Sequence, residues 1–211
     1  MDGLLFIVAA PSGAGKTTLA HQLLARMPDI APSISTTTRA PRPGEANGRD
    51  YHFVDEATFQ AQLEAGTFLE WAKVHGNYYG TSKRWILEAA AEGRDTILEI
   101  DWQGAAQIRK AMPNKTVSVF VVPPSAEILA KRLIGRETDS AEVIQRRLKA
   151  AHEEMRHIHE FEYVIINDVL ETALEELIAI VRAARLTYAQ QKERHPAFFT
   201  ALDAATPPTA T

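Results

Sequence analysis

The sequence predicts a three-layer α/β fold: a parallel sheet with helices on both faces, a P-loop after its first strand, an inserted strand-rich subdomain and a helical lid. Three observations carry this reading. The chain opens on an apolar run of strand length, Leu4–Ala10, and passes through Gly13-Ala14-Gly15-Lys16-Thr17 into a helical pattern. Apolar strand-like runs then alternate with amphipathic helical runs from about residue 96 to residue 181, the pattern of a parallel sheet covered on both sides. Between them, from about residue 34 to 81, lies a polar, hydroxyl-rich stretch with several short strand patterns.

The bulk numbers fit. A chain of 211 residues, 45% hydrophobic and 24% charged, suits one globular domain with inserted subdomains. The absence of Cys excludes disulfides, a thiolate metal site and a Cys nucleophile. A net charge of −4 argues against a duplex-binding surface. No apolar run approaches membrane-spanning length, and acidic Asp2 leads straight into a strand without the basic region of a signal peptide. The expectation is a cytoplasmic protein that binds neither nucleic acid nor membrane.

The first stretch follows the pattern G-x-x-x-x-G-K-[ST], with Ala10 in place of the first glycine. Its glycines let backbone N–H groups converge on phosphate oxygens, and the helix starting at Lys16 adds free N–H groups and the positive end of its dipole. In that context Lys16 would reach the terminal phosphates and the Thr17 hydroxyl would bind magnesium. Leu19, Leu23 and Met27 continue the helix until Pro28 and Pro32 end it.

Ser33–Glu45 reads as a short strand running into an extended loop. Arg39 and Arg42, three apart on that loop, suggest either a second anion pocket or two solvated arginines. Asn47-Gly48 is a turn signal, Tyr51–Val54 a strand, and Asp55 the cap of a helix carrying Phe59 and Leu63 and ending at Gly66. Phe68–Val74 alternates like a strand, with Glu70 opposite Leu69 and Trp71; Gly76–Thr81 reads as a turn rich in hydroxyls. Ser82 caps a helix stopped at Gly93. A strand Thr96–Asp101, a helix over 103–111, a buried strand Val117–Val122 and a helix from Ser125 to about Ile134, ended by Gly135, follow. Asp139 with Glu142 resembles a capping box before a helix through Ile144, Leu148, Ala151, Met155 and Ile158. Tyr163–Ile166 is a further strand, and Asp168 with Glu171 resembles a second capping box opening a helix through Leu174, Leu177, Ile178 and Val181. The tail after Asp203 is small residues, Thr and Pro, and is expected to be disordered over 204–211.

Lys131, Arg132, Arg136, Arg146, Arg147 and Lys149 crowd one helix–turn–helix. Alone they could be solvated faces balanced by Glu127, Glu137 and Glu142. Beside a phosphate loop they read as a lid that closes arginines over transferring phosphates. The chain shows no catalytic triad signature, no H-E-x-x-H and no Cys/His cluster. Phosphoryl transfer needs none of these; it needs positioning and charge neutralisation. An acceptor that is itself a phosphate is already anionic and requires no strong base, only cations that bring two anions together. Glu70 is a candidate for base recognition. Guanine presents N1–H and N2–H₂ side by side, and one carboxylate can accept both; adenine has no matching donor pair. Ser35 and Thr81 hydroxyls could serve the rest of the ring edge. Taken alone, Glu70 reads as a surface residue of its strand.

Ala9–Thr17, Ser35–Glu45, Gly48–Phe53, Phe68–Ala72, Gly76–Thr81, Leu98–Gly104 and Val164–Asp168 together resemble guanylate kinase, of the P-loop nucleoside monophosphate kinases, in order and from the first strand to about Val181. The resemblance implies a core of 1–33, 88–125 and 153–203, a GMP-binding subdomain of 34–87 and a lid of 126–152. It implies transfer of the γ-phosphoryl group from Mg²⁺-bound ATP to GMP, and to dGMP, giving ADP and GDP in purine nucleotide metabolism. It assigns Ala10, Pro11, Ser12, Gly13, Ala14, Gly15, Lys16, Thr17, Thr18, Arg132, Arg136 and Asn167 to ATP, with Thr17 also on the metal. It assigns Ser35, Arg39, Arg42, Tyr51, Glu70, Tyr79, Thr81 and Asp101 to GMP, and catalysis to Lys16, Arg39, Arg42, Arg136 and Arg147. Glu99 stands where Asp is common in the family. The implied partners are ATP and GMP alone, with monomer and homodimer both open. Two rival readings are a non-enzymatic module that binds phosphopeptides through the GMP pocket, against which the intact Gly15-Lys16-Thr17 speaks, and a kinase of another phosphorylated small molecule, which Glu70 with Ser35 would discriminate.

Overall fold

The computed structural model describes residues 3–134 and 141–205. Its centre is β1 (Leu5–Ala9), buried along its whole length. It lies in a five-stranded sheet with β2 (Ile30–Pro32), β7 (Asp95–Glu99), β8 (Thr116–Val122) and β9 (Tyr163–Ile166), in the order β2-β7-β1-β8-β9. Every pairing in it is parallel. Because both faces are covered, β1 has no polar alternation. Phe6 and Val8 pack with Leu19 and Leu23 of α1 (Lys16–Arg26) and Leu174, Leu177 and Val181 of α7 (Leu170–Arg185). Leu5 and Ile7 point the other way, to Ile86 of α3 (Lys83–Ala91) and Ile108 of α4 (Trp102–Ala111).

The inserted stretch builds a second sheet, β4 (His52–Phe53), β3 (Thr36–Thr37), β6 (Asn77–Ser82) and β5 (Phe68–Val74) in that order. It is held to α2 (Glu56–Glu64) by Phe59, fully buried, whose ring stacks on Phe68 at 4.6 Å and on Tyr78 at 5.3 Å. Asp55 caps α2 as expected, accepting from Thr58 N–H at 2.7 Å, and Ser82 caps α3, accepting from Trp85 N–H at 3.3 Å.

The structure corrects several local readings. Of the stretch Gly76–Thr81 read as a turn, only Gly76 turns, with His75, both at positive φ (88° and 49°), and Asn77–Thr81 belongs to strand β6, the two-residue geometry that matches strand twist. Asp168 caps nothing: its N–H donates to Ile166 C=O at 3.0 Å, and α7 starts one residue later than the box requires, with Val169 as its uncapped N-cap. Glu171 accepts from Arg26 of α1 instead, at 2.5 Å. Ile30–Pro32, read as the end of a helix, forms edge strand β2, where a proline is tolerated. α4 begins at Trp102, because Asp101 accepts from Gly104 N–H at 2.9 Å and caps it. The segment expected to be a lid holds α5 (Ala126–Ile134) and most of α6 (Ala141–Met155), and Ile158 falls in a separate 3₁₀ turn, Ile158–Glu160. After α7 come two helices the sequence did not announce, α8 (Tyr188–Arg194) and α9 (Pro196–Ala205), so residues 204 and 205, expected in the tail, are helical. Gly135, Arg136, Glu137 and Asp139 lie outside the described residues.

Candidate functional site

Open α/β sheets present ligands beyond the carboxyl ends of their strands. There, β1 runs into the phosphate loop and β7 into Ile100 and Asp101. The second sheet faces them across a cavity of about 450 Å³. Ala10, Pro11, Ser12, Gly13, Gly15, Lys16, Thr17 and Thr18 line it from one side, Ser35, Arg42, Tyr51, Glu70 and Tyr79 from the other, with Asp101 and Arg132 of α5 between. Residues far apart in sequence that were read as candidates therefore share one cavity. Ala14, Arg39, Thr81, Arg147 and Asn167 are not in its lining, but stand behind residues that are.

The loop's conformation follows from its glycines. Gly13 and Gly15 sit at φ 90° and 95°, where a side chain is strained. Among the described residues His75 is the sole non-glycine at positive φ, so Ala10 needs no glycine's freedom. Gly15 is also the N-cap of α1 and offers it no side-chain cap, which leaves first-turn N–H groups for an anion. The Asn167 amide lies where a Cβ on residue 15 would be. It donates to Ala14 C=O at 2.8 Å, bracing the loop from beneath. Arg132 donates to Asn167 C=O at 3.0 Å and Arg147 to Ser12 Oγ at 3.2 Å, so α5 and α6 both touch the loop or its brace. Lys16 Nζ reaches toward Ile100 C=O at 3.4 Å.

The opposite wall is acidic at its floor. Glu70 is only 3% exposed, whereas Trp71 beside it is 39% exposed. A register shift between Phe68 and Glu70 places one extra residue on β5, and Glu70 pairs with Thr81; such bulges re-aim side chains. Thr81 Oγ1–H donates to Glu70 Oε1 at 2.5 Å. A Cβ on Gly104 would overlap Glu70 Oε2, so the bare glycine admits the carboxylate. Burial pushes the Glu70 carboxyl up to about 7, against the Thr81 hydrogen bond that favours its ionised form. Arg39 is clamped by Glu45, with bonds of 2.8 and 2.9 Å, and lies near the Tyr51 ring. Glu45 also accepts from Arg42 N–H at 2.7 Å. Burial opposes its ionisation, but Arg39 and that N–H outweigh it and hold Glu45 below the usual carboxylate range.

Sequence reasoning missed Glu45, the Ala72-Val74-His75 wall, and Glu154. Glu45 stands three residues after Arg42 on the same loop, a spacing that suits an Asx-like clamp. Glu154 stands seven residues after Arg147, hence on the same side of α6, and lines the cavity. Burial pushes its carboxyl up to about 7 as well, with Lys16 opposing and Asp101 reinforcing the rise.

A lysine–threonine loop at a helix N-terminus, at the carboxyl ends of a parallel sheet and across one cavity from an inserted sheet, is the arrangement of the P-loop phosphotransferases. A family model for guanylate kinase matches residues 3–184. The guanylate kinase of Aromatoleum aromaticum is 59% identical over 96% of this chain and 99% of its own, and that of Dechloromonas aromatica 58% identical over 94% and 98%. The crystal structure of guanylate kinase from Anaplasma phagocytophilum superposes with a TM-score of 0.76 at 32% identity, over 92% of this chain and 96% of that one. The chain belongs to the guanylate kinase family. It is a transferase that phosphorylates GMP at the expense of ATP in purine metabolism, and these relatives do not favour a non-enzymatic module. No helix among the described residues is long and apolar enough to cross a membrane.

Proposed function

We propose that the two sides of the cavity divide the two nucleotides between them. The phosphate loop, Ala10–Thr18, takes the phosphates of ATP, with Lys16 on the group in transfer. Arg132 and Arg147 close over them, with Asn167 holding the loop's shape. Ser35, Glu70 and Thr81 read the guanine, Asp101 lies between base and phosphates, and Arg39, Arg42, Tyr51 and Tyr79 take the GMP phosphate. The subdomain 34–87 carries the acceptor and 126–152 the lid. The observation that carries this reading is that loop residues and Ser35, Glu70 and Tyr79 line a single cavity.

Magnesium fits the donor set. Thr17 is exposed at the cavity, and no group of three or more His, Asp or Glu that could hold a metal occurs among the described residues. One hydroxyl, with the remaining positions filled by phosphate oxygens and water, is how Mg²⁺ is held beside a nucleotide. The ion supplies neutralisation of phosphate charge. We place the enzyme in the cytoplasm, acting on ATP and GMP without nucleic acid, as a monomer or homodimer.

The direct test is ADP formation from MgATP with GMP, AMP, CMP and UMP in turn. Rapid turnover with GMP and scarcely any with the others is expected; equal turnover with AMP would remove the assignment of Glu70. A second test uses protons. Guanine binds the ionised carboxylate, so at pH 6.5 the complex must expel the proton that Glu70, titrating at about 7, holds in the empty protein. Calorimetry in buffers of different ionisation enthalpy is expected to show more proton release on GMP binding to the native protein than to Glu70→Gln. The GMP phosphate, with its second pKa of about 6, contributes equally to both. No difference between them would mean that Glu70 does not meet the base.

A further inference from the structure

The lid helix carries two charges toward the site, not one. Arg147 of α6 donates to Ser12 of the phosphate loop. Seven residues on, which on a helix is the same face two turns away, Glu154 lines the cavity that Lys16 and Asp101 also line. Ala151 between them is buried against Leu129 and Leu133 of α5, with Leu148 and Met155 packed on the same cluster. That packing fixes which side of α6 looks into the site. The root of α6 is also held: the His157 ring stacks on Trp102 at 3.5 Å and within 6° of parallel, and Glu160 accepts from both His157 and Arg109. Trp102 is the first residue of the helix that Asp101 caps.

Four carboxylates line the cavity with Lys16, namely Glu70, Glu99, Asp101 and Glu154, and they differ in what else they hold. Asp101 accepts from Gly104 N–H and from Gln103. Glu70 accepts from Thr81. Glu154 and Glu99 are both half-buried with no side-chain hydrogen bond among the described residues, but Glu99 stands at the end of β7 and only Glu154 is carried by α6. Lys16, for its part, has one long contact, 3.4 Å to a carbonyl, on a flexible four-carbon stem. An ammonium with three donors needs acceptors on more than one side to be held in one place.

We propose that Glu154 is a positioning residue that orients the Lys16 ammonium from the lid side, so that the docking of α6 delivers Arg147 to the loop and fixes Lys16 in the same movement. The proposal rests on Lys16 contacting the group in transfer. Because Glu154 acts only with the lid docked, its loss weighs on the chemical step and not on the capture of either nucleotide.

The test is steady-state kinetics of Glu154→Gln, Glu154→Asp, Lys16→Met and the double variant Lys16→Met/Glu154→Gln in the full chain, with melting temperatures measured alongside. Glu154→Gln keeps the shape and removes the charge. It is expected to lower kcat about tenfold, within the usual coupling of residues that share a cavity, with KM for ATP and for GMP within about twofold of the native values. Glu154→Asp, which keeps the charge, is expected to recover part of the loss. The double variant is expected to be no slower than Lys16→Met alone, since a residue that acts through Lys16 has nothing left to do. An unchanged kcat in Glu154→Gln, a raised KM with kcat intact, or losses that multiply in the double variant would each overturn the proposal. So would equal losses in the Gln and Asp variants accompanied by a lowered melting temperature. Native protein that makes no ADP with GMP would instead overturn the site assignment itself.

Discussion

Glu70→Gln is expected to lower kcat/KM for GMP by about ten-thousandfold, the scale on which sites built around a substrate's hydrogen bonds reject a mismatch. The side chain is 3% exposed and bonded to Thr81. Even so, a carboxylate has about four acceptor sites, enough for Thr81 and for two guanine donors. A glutamine of the same shape offers one oxygen and an NH₂ group, which would face a guanine N–H donor to donor in a pocket with little water. The protein itself should fold as well or better. The folded Glu70 carboxyl titrates at about 7 and an ordinary one at 4.5. Between those values the unfolded chain gives up its proton and the folded one keeps it, so the native protein loses stability as pH rises through that window, and above it the loss stays constant. Gln has no such loss. Melting temperatures across pH 4.5 to 8 should therefore drift in favour of the variant, while its turnover of GMP collapses. A variant that turns over GMP normally would show that the base is read elsewhere.

The frame of the fold was legible because it is written in runs. The apolar β1 and β8, the helical spacing of Leu19, Leu23 and Met27, and the caps Asp55 and Ser82 all correspond to what the structure contains. What was not legible is where a single register step decides orientation. Glu70 taken alone reads as a surface residue because charged residues on strands are mostly exposed. Its burial comes from a bulge at Leu69 and from Gly104 on a helix 34 positions away, neither of which leaves a local mark. The hairpin at His75-Gly76 misled for a similar reason. Asn77–Ser82 has the Gly, Asn and hydroxyl content of a turn, yet its partners on β5 and β3 supply the ladder that makes it a strand. Glu154 had a readable signal in its spacing from Arg147, but a carboxylate just past a segment that mixes arginines with Glu127, Glu137 and Glu142 looks like one more balancing charge until the packing of Ala151 shows which way it turns. Glu45 belongs with it: an acid among arginines reads as neutralisation, and only the two bonds to Arg39 reveal a clamp.

Asp95→Ala is expected to destabilise the fold by about 3 kcal/mol, the lower end for removing one partner of a buried ion pair. For a chain of this size that is a fall of roughly 6–12 °C in melting temperature. Asp95 stands at the first residue of β7, 3% exposed. Its Oδ1 accepts from Leu4 N–H at 2.8 Å, where β1 is about to begin. Its Oδ2 accepts from Arg185 at 2.7 Å, and Arg194 lies at 3.5 Å. One carboxylate thus ties the two central strands to α7 and α8. The lower end of the range applies because Arg185 keeps a second anion, Asp29, at 2.8 Å, while Leu4 N–H is left with no acceptor in the interior. Asp95→Asn should separate the two parts of the effect. It preserves an oxygen for Leu4 but turns an NH₂ group toward Arg185 in place of an acceptor, so whatever it costs less than the Ala variant reads the Leu4 bond. The site lies at the opposite ends of the same strands: β1 leads to the phosphate loop and β7 to Asp101. Since the strands keep their parallel register through four pairs, Leu5↔Thr96 to Val8↔Glu99, a fault at the Asp95 end should not reach the cavity. The measurement is therefore paired, thermal unfolding and kcat at 25 °C on the folded protein. A large fall in the first with little change in the second is expected. A kcat that fell in step with stability would mean that the salt bridge sets the geometry of the site and not only the strength of its foundation.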